Sequence, residues 1–250
     1  MTKYAFASMT YHKRMTGIYI LLLIVTGSVI FLSNSLAQLI PVIREQIANF
    51  LSMAGYQEEQ QTILQQIEEP SRQLLNVYHQ IRIVGCTSLI AFLFVFFTLC
   101  QRKKEAELSS WYHSGSSISG WVRLNLIDAL LGFGFVLLFF IVGLIIFQKQ
   151  IANLVLMVHM QITDHFFGSA INIQLLEDTN LERFLIRFPT TNAAFFRTLN
   201  ITDREWLRIM GTAFWQTAYG LFVTIVAINL PTSSIYSLWR YHRWNHPSVD

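Results

Sequence analysis

The side chains able to do chemistry in this sequence are few and scattered. Seven histidines are present, and two pairs of them are close in sequence. His159 and His165 are six residues apart, which sets them on opposite faces of a helix, while His242 and His246 are four apart in a tail of Trp and Arg. No carboxylate or cysteine is spaced to converge with either pair as a metal site requires, so surface or interfacial histidines are expected. Cys86 and Cys100 lie in one apolar run, where a straight helix separates them by roughly 21 Å, too far for a mutual disulfide. No glycine loop followed by Lys and Ser or Thr is available to cradle the phosphates of a nucleotide. Asp128 is the one carboxylate inside an apolar stretch, and its sequence neighbours offer no proton-relay partner. The expectation is a chain that is not an enzyme and binds no metal or cofactor itself.

One polar segment has an internal logic. It runs from Gln101 through Arg102, Lys103 and Lys104 to Ile118. Leu108, Trp111 and Tyr112 fall on one helical face, Gly115 supplies a helix stop, and Ser116 or Ser117 can cap the helix that follows. On physics alone this is a short surface helix with snorkelling aromatic side chains, a turn, and the start of an apolar span.

The elements that must position these groups follow from composition. The 250 residues are 53% hydrophobic and 13% charged, with a mean hydropathy of +0.41. A soluble domain carries about 25% charged residues, so an ordinary water-soluble enzyme and a disordered chain are both excluded. The net charge of +3 arises from 18 basic and 15 acidic residues without a dense basic stripe, which excludes nucleic acid as a partner. Four apolar stretches, 17–32, 83–100, 126–147 and 209–230, are long enough or nearly so to cross about 30 Å of hydrocarbon. The first is short, and it is expected to continue as helix through Ser33, Asn34 and Ser35 because Leu36, Leu39 and Ile40 prolong its apolar face. A signal peptide is the rival reading of this region, since Ser35-Leu36-Ala37 imitates a cleavage site. A retained anchor is expected.

Orientation follows the basic residues. Lys3, Lys13 and Arg14 in 1–16, Arg102, Lys103, Lys104 and Arg123 in 101–124, and Arg240 and Arg243 in 231–250 place both termini in the cytoplasm. Eleven of the fifteen acidic residues lie in the other two loops, 33–82 and 148–208. In the first of these, Ile40, Ile43, Ile47, Phe50 and Leu51, then Ile63, Ile67, Leu74 and Leu75, describe two helices broken at Gly55, a helical hairpin or stalk. The second opens with Ile151, Leu154, Val155, Val158 and Ile162, an amphipathic helix suited to the interface. Thr179 with Glu182 and Thr202 with Glu205 have capping-box spacing, so helices are expected to begin near Leu181 and near Asp203, with a turn at Pro189-Thr190-Thr191-Asn192 between them. Asn200-Ile201-Thr202 matches a glycosylation acceptor, a pattern common by chance. The fold class expected is an all-α membrane protein with four transmembrane helices.

The inner segment resembles the FtsX-like permease family, which includes MacB-type ABC transporter subunits. Glu107, Gly115, Ser117 and Asp128, preceded by the cluster Arg102, Lys103 and Lys104, match the family's spacing of a glutamate, a glycine, a small polar residue and a second acid. Pro231 near the end of the fourth span and the lead-in from Tyr4 to Arg14 also agree, while Ser114 stands where leucine is usual and the large extracellular domain of bigger members is missing. The resemblance implies a small bacterial permease subunit in the cell membrane. Its coupling segment, Glu107, Leu108, Trp111, Tyr112, Gly115 and Ser117, would dock on a separate nucleotide-binding ATPase that holds the ATP and Mg. It would work with a second permease, which Ala129, Gly132, Val136 and Gly143 on one face of the third span would meet if they do not serve internal packing. Phe166, Phe167, Phe195 and Phe196 are then candidates to face an exported peptide or lipoprotein, with packing against the stalk as the rival explanation. The alternative is a four-span scaffold or immunity-type protein without an ATPase.

Overall fold

Among the described residues, buried positions recur at three- and four-residue steps along the long helices, the period of an α-helix with one face turned inward. In α2 (Lys13–Met53) they include Tyr19, Leu23, Gly27 and Ile30, and in α5 (Ile118–Ile146) Trp121, Asn125, Ala129, Gly132 and Val136. The computed structural model describes residues 2–53, 60–167 and 201–245. The remaining elements are α1 (Thr2–Tyr11), α3 (Gln60–Lys103), α4 (Glu105–His113), α6 (Gln148–Phe167) and α7 (Asp203–Asn245). Among the described residues there is no strand.

Helices α2, α3, α5 and α7 are each long and apolar enough to cross a membrane, and only 22–28% of each one's most apolar window is buried within the chain. Large side chains such as Leu21, Val25, Phe92, Phe94, Leu138 and Phe139 therefore point outward. So much outward apolar surface is stable in hydrocarbon and not in water. The chain has the build of a multi-pass membrane protein. Exposed Trp215 and Tyr219 stand toward one end of this surface on α7 and exposed Trp239 toward the other.

Pro41 lies within α2 and Pro231 within α7. Helix α7 does not end at Pro231 but continues to Asn245. Proline removes one backbone bond, yet Asn229, Ser233 and Ser237 continue the buried stripe across it, so packing holds the helix together. At the other end of α7 the expected capping box is formed. Glu205 accepts from the Thr202 backbone N–H at 2.7 Å, and the Glu205 N–H meets Thr202 Oγ1 at 3.4 Å. The helix start near Leu181, the turn at 189–192, the break at Gly55 and the first residue of the Asn200 acceptor lie outside the described residues.

The helices contribute to two packed units. The first comprises Met1–Phe31, Ile83–Ile146 and Trp215–Asp250. Its core joins Tyr19, Leu23, Leu89, Leu93, Phe97, Phe133, Leu221 and Ile225. Gly132 is required there: a Cβ at this position would stand 2.8 Å from the Tyr19 ring, whose hydroxyl donates to the Ala129 carbonyl at 3.1 Å. Stacking on Phe96 at 5.3 Å fixes the same ring from another side.

The second unit comprises Leu32–Arg82 and Phe147–Phe214. The two helices of the expected hairpin thus share a core with α6 and the start of α7. Leu36, Leu39, Val42 and Ile43 of α2 are buried in it, as are Leu74 and Tyr78 of α3, Ala152 and Val155 of α6, and Trp206, Ile209 and Met210 of α7. Ser33 Oγ donates to the Tyr78 carbonyl at 2.6 Å, and Gln46 Nε2 to Glu205 at 3.1 Å.

The inward face of α6 is Ala152, Val155, His159 and Thr163, whereas Leu154 of the expected apolar stripe is half exposed. His159 is accordingly a buried residue and not a surface one. Its Nδ1 lies 2.6 Å from the Tyr78 hydroxyl, which gives one nitrogen of a neutral imidazole a partner inside the unit. Burial pushes its pKa down to about 4.

Two outcomes follow. Gly132→Val should destabilise the protein by about 1–3 kcal/mol, because the Tyr19 ring cannot yield without losing its hydrogen bond; Gly143, with nothing within 4 Å of an added Cβ, should accept Ala without loss. Thermal denaturation in detergent measures both. His159 binds its proton less readily folded than unfolded, so its contribution is intact above about pH 6.5, declines as pH falls toward 4, and changes no further below that. The loss should approach roughly 3 kcal/mol. A His159→Gln variant should lose this part of the pH dependence of unfolding.

Candidate functional site

The site is built around α4 and its two junctions. Lys104 separates α3 from α4 with a φ of −88° and a ψ of 12°, off the helical values, and Glu105 and Glu107 occupy the first turn of α4, where carboxylates favour a helix start. Leu108 is buried beneath the helix. At the far end Gly115 takes a φ of 78°. Its N–H bonds to the Tyr112 carbonyl at 2.9 Å and that of Ser116 to the Trp111 carbonyl at 3.3 Å, the reciprocal pair that closes a helix through a left-handed residue. Ser117 then caps α5, its Oγ accepting from the Gly120 N–H at 3.2 Å. The expected stop and cap are both where the residue types placed them.

The aromatic side chains of α4 are engaged within the chain. Trp111 donates from Nε1 to the Ser117 carbonyl at 3.2 Å and packs 6.1 Å from the Trp121 ring. Tyr112 meets Tyr241 edge-on at 5.2 Å. What α4 presents outward is the stripe Ala106, Ser110 and Ser114, which with Glu107 and Trp111 lines a shallow depression of about 450 Å³.

Charges tie this helix to its neighbours in the first unit. His12 Nε2, just past α1, lies 2.7 Å from Glu107 Oε1. Glu105 accepts from Arg240 of α7, and from the Tyr236 hydroxyl at 3.3 Å. Lys104 Nζ is 2.5 Å from Asp128 Oδ2 of α5, and Ser8 of α1 donates to the same oxygen at 3.3 Å. The side chains of Lys104 and Asp128 are only 11% and 16% exposed, so this pair is largely desolvated.

A polar layer adjoins the ion pairs. Gln101 donates to Ser233 at 2.9 Å and accepts from the Trp121 indole at 3.3 Å. Asn125 donates to the Trp121 carbonyl at 3.1 Å. A cavity of about 50 Å³ opens here, bordered by His12, Thr16, Tyr19, Lys104, Asn125 and Asp128. That is room for about one or two waters. Asp128 Oδ1 is buried with no partner among the described residues, and a water in the cavity would satisfy it.

The structure therefore brings together Glu107, Leu108, Trp111, Tyr112, Gly115, Ser117 and Asp128 in one small region. It adds Ser8, His12, Lys104, Glu105, Gln101 and Arg240, whose part is not readable from local spacing. The one available signal is that a carboxylate at position 128 in an apolar stretch demands a cation. Of the residues expected to meet another permease, Ala129 and Val136 are buried in the unit's own core and Gly132 holds Tyr19, so internal packing accounts for them; Gly143 is the one with open space beside it. Phe166 and Phe167 belong to the last turn of α6, with side chains outside the described set, and Phe195 and Phe196 lie outside the described residues. Among the described residues no three His, Cys, Asp or Glu side chains converge as metal ligands. Comparison with protein-family models, with curated proteins and with solved structures found no match to this chain.

The pairing makes a clear expectation. Lys104→Met leaves Asp128 as a buried charge without its cation and should destabilise the fold by about 3–5 kcal/mol. Combining it with Asp128→Leu should recover most of that loss in chemical denaturation of the detergent-solubilised protein.

Proposed function

We propose that the chain is the permease subunit of an ABC transporter of the FtsX type, with α4 as the segment through which a separate ATPase acts. The observation that carries this reading is the tethering of α4. One short helix between two spans is joined by Glu107 to the His12 that follows α1, by Glu105 to α7, and at its start by the adjacent Lys104 to α5. A force applied to such a helix reaches three other segments through these polar contacts, which suits transmission of a conformational change. Both termini and α4 then face the cytoplasm, in keeping with the basic residues on those segments. The work done is export or extraction of a peptide or lipoprotein, or mechanical signalling, by a pair of permeases, with ATP and Mg held in the partner.

Trp111 and Tyr112 are packed on Trp121 and Tyr241, so the ATPase would be met by the Ala106, Ser110 and Ser114 stripe with the edge of Trp111. The same internal packing is what favours the second reading, a four-span scaffold or immunity-type protein in which α4 simply closes the bundle.

Affinity purification of the intact protein with a readout of co-purifying ATPase activity separates the two. The permease reading expects activity that Ser110→Arg removes while thermal stability is retained, and Gly115→Val, strained at its left-handed position, is expected to keep the ATPase bound but to uncouple hydrolysis from transport. If no ATPase activity accompanies the protein, or Ser110→Arg leaves it unchanged, the scaffold reading replaces it.

A further inference from the structure

The outward surface of the first unit carries a second feature, unconnected with α4 docking and independent of any ATPase. Between α3 and α7 an apolar groove of about 390 Å³ is bordered by Phe94 and Thr98 on one side and by residues from Ala227 to Trp239 on the other. That volume lies in the range of small-molecule sites, about 300–1,000 Å³. Its hydroxyls are already engaged within the chain: Thr98 donates to the Phe94 carbonyl at 2.8 Å, Thr232 to the Ile228 carbonyl at 2.6 Å and Tyr236 to Glu105 at 3.3 Å. The groove therefore asks for no polar partner along its length. Its rim residues Phe94, Ile235 and Trp239 are more than half exposed.

One end of the groove is different. The Arg240 guanidinium lies over the Trp239 ring at 5.0 Å, and that of Arg243 over the same ring at 5.8 Å. Helix α3 ends close by in sequence with Arg102 and Lys103. Glu105 is the acidic group nearby, and it is engaged by Arg240 and Tyr236; Arg243 forms no ion pair among the described residues. An aromatic ring beside guanidinium groups at the end of a span is the arrangement found at the headgroup level of a bilayer.

Length identifies the occupant. From Ala227 to Trp239 is twelve helical steps, roughly 18 Å at 1.5 Å per residue. One leaflet of hydrocarbon is about 15 Å deep, half of the ~30 Å core. A helix from a second copy would have no reason to stop at mid-membrane, whereas an acyl chain does. We infer that the groove between α3 and α7 binds one chain of an anionic phospholipid, with Trp239 at the level of the glycerol and Arg243 on the phosphate.

The protein purified in detergent and stripped of lipid is titrated with phosphatidylglycerol or with phosphatidylcholine of the same chains, and bound lipid is read by native mass spectrometry. One basic residue near a membrane surface is worth about 1 kcal/mol, so phosphatidylglycerol should bind about five-fold more tightly than phosphatidylcholine. Arg243→Gln should abolish that preference and leave phosphatidylcholine binding as it was. Ile235→Trp fills the groove from an exposed position and should prevent both lipids from binding, as should Ala227→Phe at its other end. Equal binding of the two lipids by the unaltered protein overturns the inference, as does lipid binding that neither filling variant reduces. So does a dimer that the filling variants dissociate while lipid binding persists, since the groove would then hold a second copy.

Discussion

A charge inside a low-dielectric bundle must have a partner, and the first unit is arranged around that requirement. Asp128 sits ten residues into α5, in a helix apolar on nearly every side. An isolated carboxylate there would cost several kcal/mol. Lys104 answers it from the break between α3 and α4, and the break is what lets the ammonium reach. Once Lys104 is committed, the residues after it are fixed in turn: Glu105 falls toward Arg240 and Glu107 toward His12. The position of α4 is thus a consequence of where one acid is buried.

Much of this architecture could be read from residue types. Four spans, the continuation of the first past Ser35, the helix stop at Gly115, the cap at Ser117 and the capping box at Thr202 were legible because each depends on residues within a few positions of one another. The partners of the acids were not. Ser8 and Asp128, or Glu105 and Arg240, are separated by more than a hundred residues, and no local pattern links them. Helix α5 hid its inward face for another reason: being apolar all round, it carries no periodic contrast, so small residues at 129 and 132 could equally have faced another subunit. The Tyr19 ring, unremarked in the sequence, decides the matter.

His159 shows a different limit. Its neighbours in sequence suggested an interfacial helix with leucine and isoleucine turned inward. The helix is instead rotated by about one position, which buries the imidazole with Thr163. Tyr78 offers the buried imidazole a hydroxyl at the right height, and α3 supplies that residue from eighty-one positions away. Polar side chains inside this unit are therefore not exceptions to its packing. They set the angular position of α6, which an apolar stripe alone would have left loose.

The aromatic residues of α7 have a consequence for how the protein responds to its membrane. Trp215 and Trp239 are twenty-four residues apart, roughly 36 Å along a straight helix, and both are exposed. Each prefers the boundary between hydrocarbon and headgroup, so the two rings measure the bilayer against a fixed length slightly greater than its core. A thinner bilayer is accommodated by tilting the helix. Since Arg240, next to the second ring, holds Glu105, tilt of α7 would draw on α4 directly. A change of tilt at one end of α7 would thus be felt at the helix that Glu105 holds in place.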